Sequence, residues 1–252
     1  KQNGFYKVQV KHNGKDMTGK LLKAFEKHPE YSKTEKVRID MIKRFGYFST
    51  ESNGHLSEYL PWYRKRPNEI MDWIDISSWI HGETGGYLRV CTEGRNWFET
   101  DFPNWMKDEP KSYNEESRSA EHGSYIIEGL ETGRTYRGHF NVINNGTITN
   151  LPYDAVVEVP GYVDANGVNI PKVGDLPLGC AAVCNVSISV QRLAVEAAVN
   201  GDDMLLRQAM MMDPLVGAVC NPPEIWQMVD EMIVAQKKWL PQYQEAIKKA
   251  EK

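Results

Sequence analysis

The 252-residue chain has few cysteines, no surplus of basic charge and no long uninterrupted apolar run, and each shortage removes a class of protein. Its four cysteines, Cys91, Cys180, Cys184 and Cys220, are too few and too scattered for a disulfide framework in a chain of this length. They form no CxxC knuckle either. Cys180 and Cys184 stand four apart in LGCAAVCNVSISV, which puts both on one face of an apolar helix as buried thiols rather than metal ligands. With 30 Lys and Arg against 34 Asp and Glu, interspersed throughout, nothing draws the chain to nucleic acid. No apolar run approaches the roughly 18 residues of a membrane span and no signal-peptide core opens the sequence, so a cytoplasmic protein without a membrane partner is expected. No strand leads into a GxGxxG turn, the fingerprint of dinucleotide binding, and no fixed period marks a solenoid.

What is present reads as folded material, 41% hydrophobic and 25% charged, enough to bury a sizeable core. Alternation in FYKVQVKH predicts a strand over 5–11, with a turn at Asn13-Gly14. LLKAFEKH and KVRIDMIKRFG read as short amphipathic helices, the second closed by Gly46, and RPNEIMDWIDISSWIHGE reads as one helix. The stretch from Gly85 to Trp105 has no clean period. A helix over 117–132 ends at Gly133; after it the period changes to two, giving strands at 139–144, 147–150 and 155–160 with turns at Asn145-Gly146 and Pro160-Gly161. Beyond Pro177 the pattern is helical over 178–199, 202–212 with Asp202 as N-cap, 223–235, and a last stretch to about 249. Met210, Met211 and Met212 suit core or subunit packing. The expected fold class is α+β, helical layers around a small mixed or antiparallel sheet.

The densest chemistry lies in FGYFSTESNGHLSEYLPWYRK, residues 45–65, which gathers aromatics, two Glu and a His around a helix start. Thr50, Glu51, Ser52 and Asn53 have capping side chains, while Tyr47, His55 and Glu58 can move protons or bind a polar ligand. His55 and Glu58, three apart, share a helix face with Glu51 in the first turn. The competing reading is a capped helix that docks its aromatics into a core. Arg118, Glu121 and His122 crowd one turn of the next candidate helix, as a site for an anionic group or as a solvated ion pair. Asn150, ahead of Leu151-Pro152, can present its amide to a ligand.

GYFSTESNGHLSEYLPW resembles the signature of glycoside hydrolase family 4, within its α-galactosidase branch. Three further pieces agree in order and spacing: GFYKVQVKHNGKD near the start, SRSAEHGSYIIEGLETG, and NGTITNLPYDAVVEVPGYVDANGV leading to LPLGCAAVCN. The resemblance implies the C-terminal domain of that family, which is similar to the C-terminal domain of lactate and malate dehydrogenases. The Rossmann NAD-binding domain is absent from these residues. It further implies cleavage of an α-galactoside by NAD-dependent oxidation at C3, deprotonation at C2 and elimination followed by water addition, with Mn2+ as the metal. Tyr47 would be the catalytic base, and Glu51, Asn53, His55, Glu58, Arg118, Glu121, His122 and Asn150 would bind the sugar. Cofactor-binding residues, and the Cys and His that hold the metal, are expected upstream of Lys1. Expected partners are a small glycoside, the chain's own N-terminal domain and further copies in a homodimer or homotetramer. Trp226, Met228, Val229, Met232 and Trp239 would supply apolar surface for that assembly. Alternatives are an α-glucosidase or α-uronidase of the same family, a dehydrogenase of the lactate and malate type, and a non-catalytic sugar-binding remnant.

Overall fold

A computed structural model describes residues 11–12, 14–92, 97–110, 118–119 and 121–252. The chain divides into two units, one comprising the described residues up to 86 together with 176–252, the other 87–175.

In the first unit β1 (Lys11–His12) pairs antiparallel with β2 (Lys15–Asp16). Residues 5–10 of the expected strand lie outside the described residues. Three helices follow, α1 (Thr18–Lys27), α2 (Tyr31–Thr34) and α3 (Lys36–Phe45). As the sequence suggests, α3 stops where Gly46 takes a left-handed φ of 76°, a conformation a side chain would resist. Its apolar stripe puts Val37, Ile39, Met41 and Ile42 inside. Ser52 caps α4 (Asn53–Glu58), its Oγ accepting from the His55 amide.

The single helix expected over 66–83 does not form. A 3-10 turn at Pro67–Glu69 runs into α5 (Ile70–Trp73), Ile74 turns extended, and α6 (Trp79–Gly82) and α7 (Thr84–Thr92) start afresh. Asp75 is the breaker: its Oδ1 accepts from the Ser77 amide at 3.0 Å, a local turn that competes with helical pairing. Farther along, α8 (Trp97–Thr100) and α9 (Phe102–Trp105) are single turns in the second unit.

α10 (His122–Thr132) begins later than the predicted start, because Glu121 is extended and Arg118 lies outside the helix. It ends at Gly133 as expected. β3 (Tyr136–Ile143) pairs antiparallel with β4 (Val156–Asp164) from Tyr136↔Val163 to Ile143↔Val156, and β5 (Gly167–Asn169) adds to the other edge of β4. Val157, Val159 and Val163 alternate inward. Two expectations are corrected. Residues 147–150 form turns rather than a strand, held by side-chain bonds described below, and Pro160-Gly161 is no turn but lies inside β4. Proline is accommodated there because β5 pairs only with Tyr162 to Asp164, leaving β4 one neighbour at Pro160. Within this unit α10 packs on β4, with the bare Gly129 so close that a Cβ would lie 3.0 Å from the Val163 carbonyl.

Back in the first unit, α11 (Leu178–Asn200), α12 (Asp203–Met212), α13 (Pro214–Val219), α14 (Pro222–Ala235) and α15 (Gln244–Ala250) complete the chain. Asp202 and Asp213 each accept from two amides at the starts of α12 and α13, and Asn221 with Glu224 forms a capping box on α14. One core joins Val37, Met41, Leu56, Leu60, Tyr63, Ile74 and Cys180; another joins Val229, Ile233, Tyr243, Ala246 and Ile247. Cys180 and Cys184 are buried free thiols, and burial pushes the Cys180 thiol up to about 11. Of the expected assembly residues, Val229 is spent on the core, whereas Met232 and Trp239 stay exposed.

The absence of a span-length apolar segment is corrected by α11. Among the described residues this helix is long and apolar enough to cross a membrane by length and composition, because its Ala, Val and Cys outweigh the Asn and Ser that interrupt each run. Only 17% of its apolar window is buried: α11 sets Cys180, Ala181, Cys184 and Ala197 inward and packs along α12, while Leu178, Val195 and Val199 stay exposed.

The structure is therefore an α+β fold, rich in helix, with a small antiparallel sheet of three strands.

Candidate functional site

Asn53 organises the signature segment. Fully buried, it accepts from the amides of Val37 (2.8 Å) and Arg38 (3.4 Å) at the start of α3, and donates through Nδ2 to the Trp73 carbonyl (3.1 Å). α3 has no side-chain cap of its own, so Asn53 satisfies its orphan amides from another helix. Both ends of the Asn53 amide thus have partners inside the protein, where the sequence suggests a ligand contact.

Around this tie stand the titratable groups. Tyr47 packs its ring against the core, and its hydroxyl has no hydrogen-bond partner among the described residues. Glu51 is buried to 7% exposure; its Oε1 accepts from the Ser52 amide at 3.0 Å and faces His55 Nδ1 at 3.3 Å. The other ring nitrogen, Nε2, lies 3.5 Å from Glu83 Oε2. Glu83 comes from the turn between α6 and α7, where its φ of 42° is unusual for a residue with a long side chain. Such a conformation costs about 1–2 kcal/mol. Gly54 makes the approach possible, since a Cβ there would stand 2.5 Å from Glu83 Cγ.

Glu58 closes the end of α4. It accepts from the amide and the hydroxyl of Thr84, both at 3.2 Å, and pairs with Arg64 at 3.3 Å. Arg64 in turn donates to Ser57 Oγ (2.8 Å) and to the carbonyls of Gly54 and Gly82, fastening α4 to α6. Burial raises the Glu58 carboxyl above its ordinary range against the pull of Arg64, and burial lowers Arg64. The folded state thus binds the Glu58 proton more readily than the unfolded chain, so this group's contribution to stability falls as pH rises from the ordinary carboxylate value through the raised one. Glu58→Gln should flatten the fall in melting temperature across that interval.

The second unit holds another cluster. Arg118 lies over the Tyr125 ring, 3.6 Å from its centroid, donates to Ser124 Oγ at 2.9 Å and pairs with Glu128, which also takes Arg134 at 3.0 Å. The pair expected between Arg118 and Glu121 is replaced by this one, because Arg118 lies outside the helix that would have set their spacing. The two arginines hold the Glu128 carboxyl below the usual range. His122 Nδ1 contacts the Tyr136 hydroxyl, and Tyr125 stacks on Tyr136. Glu121 is exposed, its amide donating to Ser119 Oγ.

Asn150 is half-buried in the loop between β3 and β4. The unexposed Asn144 organises that loop, donating to the carbonyls of Ile148 (2.9 Å), Leu151 (3.1 Å) and Pro152 (3.0 Å) and accepting from the Ile148 amide (2.7 Å). Sequence reasoning singled out the neighbouring Asn145-Gly146 turn and Asn150 but missed Asn144, as it missed Glu83 and Arg64. A third Asn beside a turn motif was the only signal for Asn144; for the other two there was none.

Among the described residues no three His, Cys, Asp or Glu side chains are grouped to hold a metal ion. A cleft of about 470 Å³ between α2, α3 and Trp73 and an apolar cavity of about 300 Å³ between α11, α12 and α14 are lined by none of Tyr47, Glu51, His55 or Glu58.

Comparison with known proteins follows the same segments. The family described as "Family 4 glycosyl hydrolase C-terminal domain" matches residues 4–216. The alpha-galactosidase of Rhizobium meliloti (strain 1021) is 61% identical over 241 residues, 95% of this chain and 49% of the relative. That of Bacillus subtilis (strain 168) is 32% identical over 240 residues, 94% and 53%. The chain therefore spans about half the length of these relatives. Among solved structures, a 6-phospho-alpha-glucosidase from gut microorganisms, in complex with NAD and Mn2+, shares the fold at a TM-score of 0.61 and 18% identity over 89% of this chain and 50% of that one.

Proposed function

The chain belongs to family 4 of the glycosyl hydrolases, and from that membership we propose that it is the C-terminal, substrate-binding and oligomerising domain of a cytoplasmic glycosidase that acts on α-galactosides. The observation that carries this reading is the 61% identity to an alpha-galactosidase across 95% of the chain, which includes the whole signature segment. A homodimer or homotetramer is part of the proposal, with the exposed Met232 and Trp239 available to it.

NAD and Mn2+ enter through the family, where the nucleotide supplies reversible oxidation of the sugar and the metal a Lewis acid. The described residues fit neither group by themselves, having no set of three metal-binding side chains and no glycine-rich turn after a strand. Both are proposed to bind residues outside this sequence.

Tyr47 is proposed as the base that takes the proton from C2 of the galactosyl ring. A base needs a hydroxyl not committed elsewhere and a fixed ring, and Tyr47 has both, with its ring on the core and its hydroxyl without a described partner. His55, 36% exposed between two carboxylates, and Glu58 are proposed to hold sugar hydroxyls. In the second unit Arg118, His122 and Asn150 keep their proposed contacts with substrate, Arg118 as a stacked guanidinium whose charge is shared with Glu128.

The test is an assay of the full-length protein with an α-galactoside, NAD, Mn2+ and a reductant. Galactose release without accumulation of NADH is expected; steady NADH production would mean a dehydrogenase. Tyr47→Phe should lower turnover by about 10²–10⁴-fold and slow exchange of the C2 hydrogen with solvent equally. Wild-type rates of both in that variant would end the assignment of Tyr47.

A further inference from the structure

His55 stands between two carboxylates that come from opposite directions. Glu51 reaches Nδ1 at 3.3 Å from the segment that leads into α4, and Glu83 reaches Nε2 at 3.5 Å from the turn between α6 and α7. Both acids are nearly buried, their side chains 7% and 11% exposed, whereas the ring is 36% exposed. The two acids bracket the ring at its two nitrogens, so its orientation is fixed from both sides.

The backbone supplies an independent sign that the Glu83 side chain is used. A turn that needs a left-handed residue is ordinarily made with Gly, or with Asn or Asp, whose short side chains bond locally. Here a Glu occupies it at φ 42°, and the only other such non-glycine among the described residues is Asn145, in an Asn-Gly turn. Strain of this kind persists where the surroundings fix it, and it clusters at sites that use the side chain it displays. The facing residue is Gly54, whose missing Cβ leaves the space that Glu83 Cγ fills on its way to the ring.

We infer that Glu83 is a positioning residue that, with Glu51, holds the His55 imidazole fixed in orientation, as a hydrogen-bonding group toward an oxygen of the substrate. The inference deepens the proposed glycosidase reading and rests on it for the identity of that oxygen, a sugar hydroxyl or the glycosidic oxygen. The longer contact, at Nε2, is the one a ligand oxygen would share, while Glu51 keeps Nδ1. The other groups around the ring are Glu58, neutralised by Arg64, and Tyr59, whose ring centroid lies 6.4 Å from that of His55. Neither makes a direct contact that would replace Glu83.

The experiment uses the full-length protein with histidine rings labelled in 15N, and two variants. Glu83→Gln keeps the shape and loses the charge; Glu83→Gly loses the side chain and frees the backbone. The His55 signals are identified by their absence in His55→Gln. In both variants the 15N signals of the His55 ring should move and broaden as the ring loses its contact at Nε2, while the signals of the other histidines stay in place. In the galactosidase assay both should lose about tenfold in kcat with KM unchanged, a split that a merely structural role would not produce. His55 ring signals unchanged in position and width in both variants, with the protein folded, overturn the inference. The ring signals need no turnover, so a protein inactive on α-galactosides would sink the proposed function and still decide the role of Glu83.

Discussion

Gly54→Ala lowers the stability of the domain by about 3 kcal/mol, at the upper end for a one-carbon overpacking, because the added methyl meets backbone as well as side chain. Its Cβ would stand 2.5 Å from Glu83 Cγ and 2.9 Å from both the Glu83 amide nitrogen and the His81 carbonyl oxygen. A flexible side chain could swing aside; the α6–α7 turn cannot, since Arg64 binds the Gly82 carbonyl and Thr84 is held by Glu58. Helix propensity works the other way and favours Ala by about 1 kcal/mol at most, so the clash wins. Gly19→Ala is the control. It lies in α1 with nothing within 4 Å of the added methyl, and there only the propensity gain should remain. Melting of the two variants should therefore move in opposite directions, down by about 5–10 °C for Gly54→Ala. A Gly54→Ala protein as stable as wild type would mean that α4 and the Glu83 turn are not packed as described.

A second large loss is expected from Asn144→Asp. The two side chains have the same shape, but Asp offers no N–H to the three carbonyls of Ile148, Leu151 and Pro152, and its buried carboxylate would face their oxygens. Leaving buried carbonyls unpaired costs about 1–3 kcal/mol each, so a total of about 3–5 kcal/mol is expected after relaxation, with part recovered if the Asp stays protonated. The loss is local to the β3–β4 loop. Amide exchange at Ile148, whose N–H is bonded to Asn144 Oδ1 at 2.7 Å, should speed up well before global unfolding, and the loop should become open to protease. Ile148 and Leu151, now buried, would lose their seat. If Ile148 stays as protected in the variant as in wild type, Asn144 does not hold the loop. The same loop carries Asn150, so disordering it should also weaken the substrate contact proposed for Asn150.

Much of the site's chemistry was legible because it was concentrated. Tyr47, Glu51, His55 and Glu58 fall within twelve residues, and the capping signal of Ser52 with the acids nearby marked a helix start where α4 begins. What the sequence misjudged was direction. Asn53 looks like its polar neighbours and turns inward, because α3, sixteen residues earlier, begins without a side-chain cap and the Val37 amide needs an acceptor. Arg118 pairs with Glu128 rather than Glu121 for a related reason: the helix starts at His122 rather than at Ser117, and a spacing rule holds only inside a helix. Strand 147–150 failed because its alternation was real while its backbone was already bonded to Asn144.

The sequence by itself determined the features whose causes are local. Gly46 and Gly133 end α3 and α10, Asp202 begins α12, and the inward alternation of Val157, Val159 and Val163 makes β4 a strand with one buried face. Each depends on interactions within about one turn or across a two-residue period, which neighbouring residue types control. Ordered motifs along nearly the whole chain likewise carried the family. Tertiary structure alone decided which side chains meet: Glu83 with His55 across 28 positions, Arg64 with the Gly82 carbonyl, Asn53 with Val37, and the mutual fit of Gly54 and the Glu83 turn. Those contacts depend on where remote backbone runs and on which polar groups it leaves to be satisfied once water is excluded. No local pattern of residues encodes that, because the cost of an unpaired buried group is set by its surroundings and not by its neighbours in sequence.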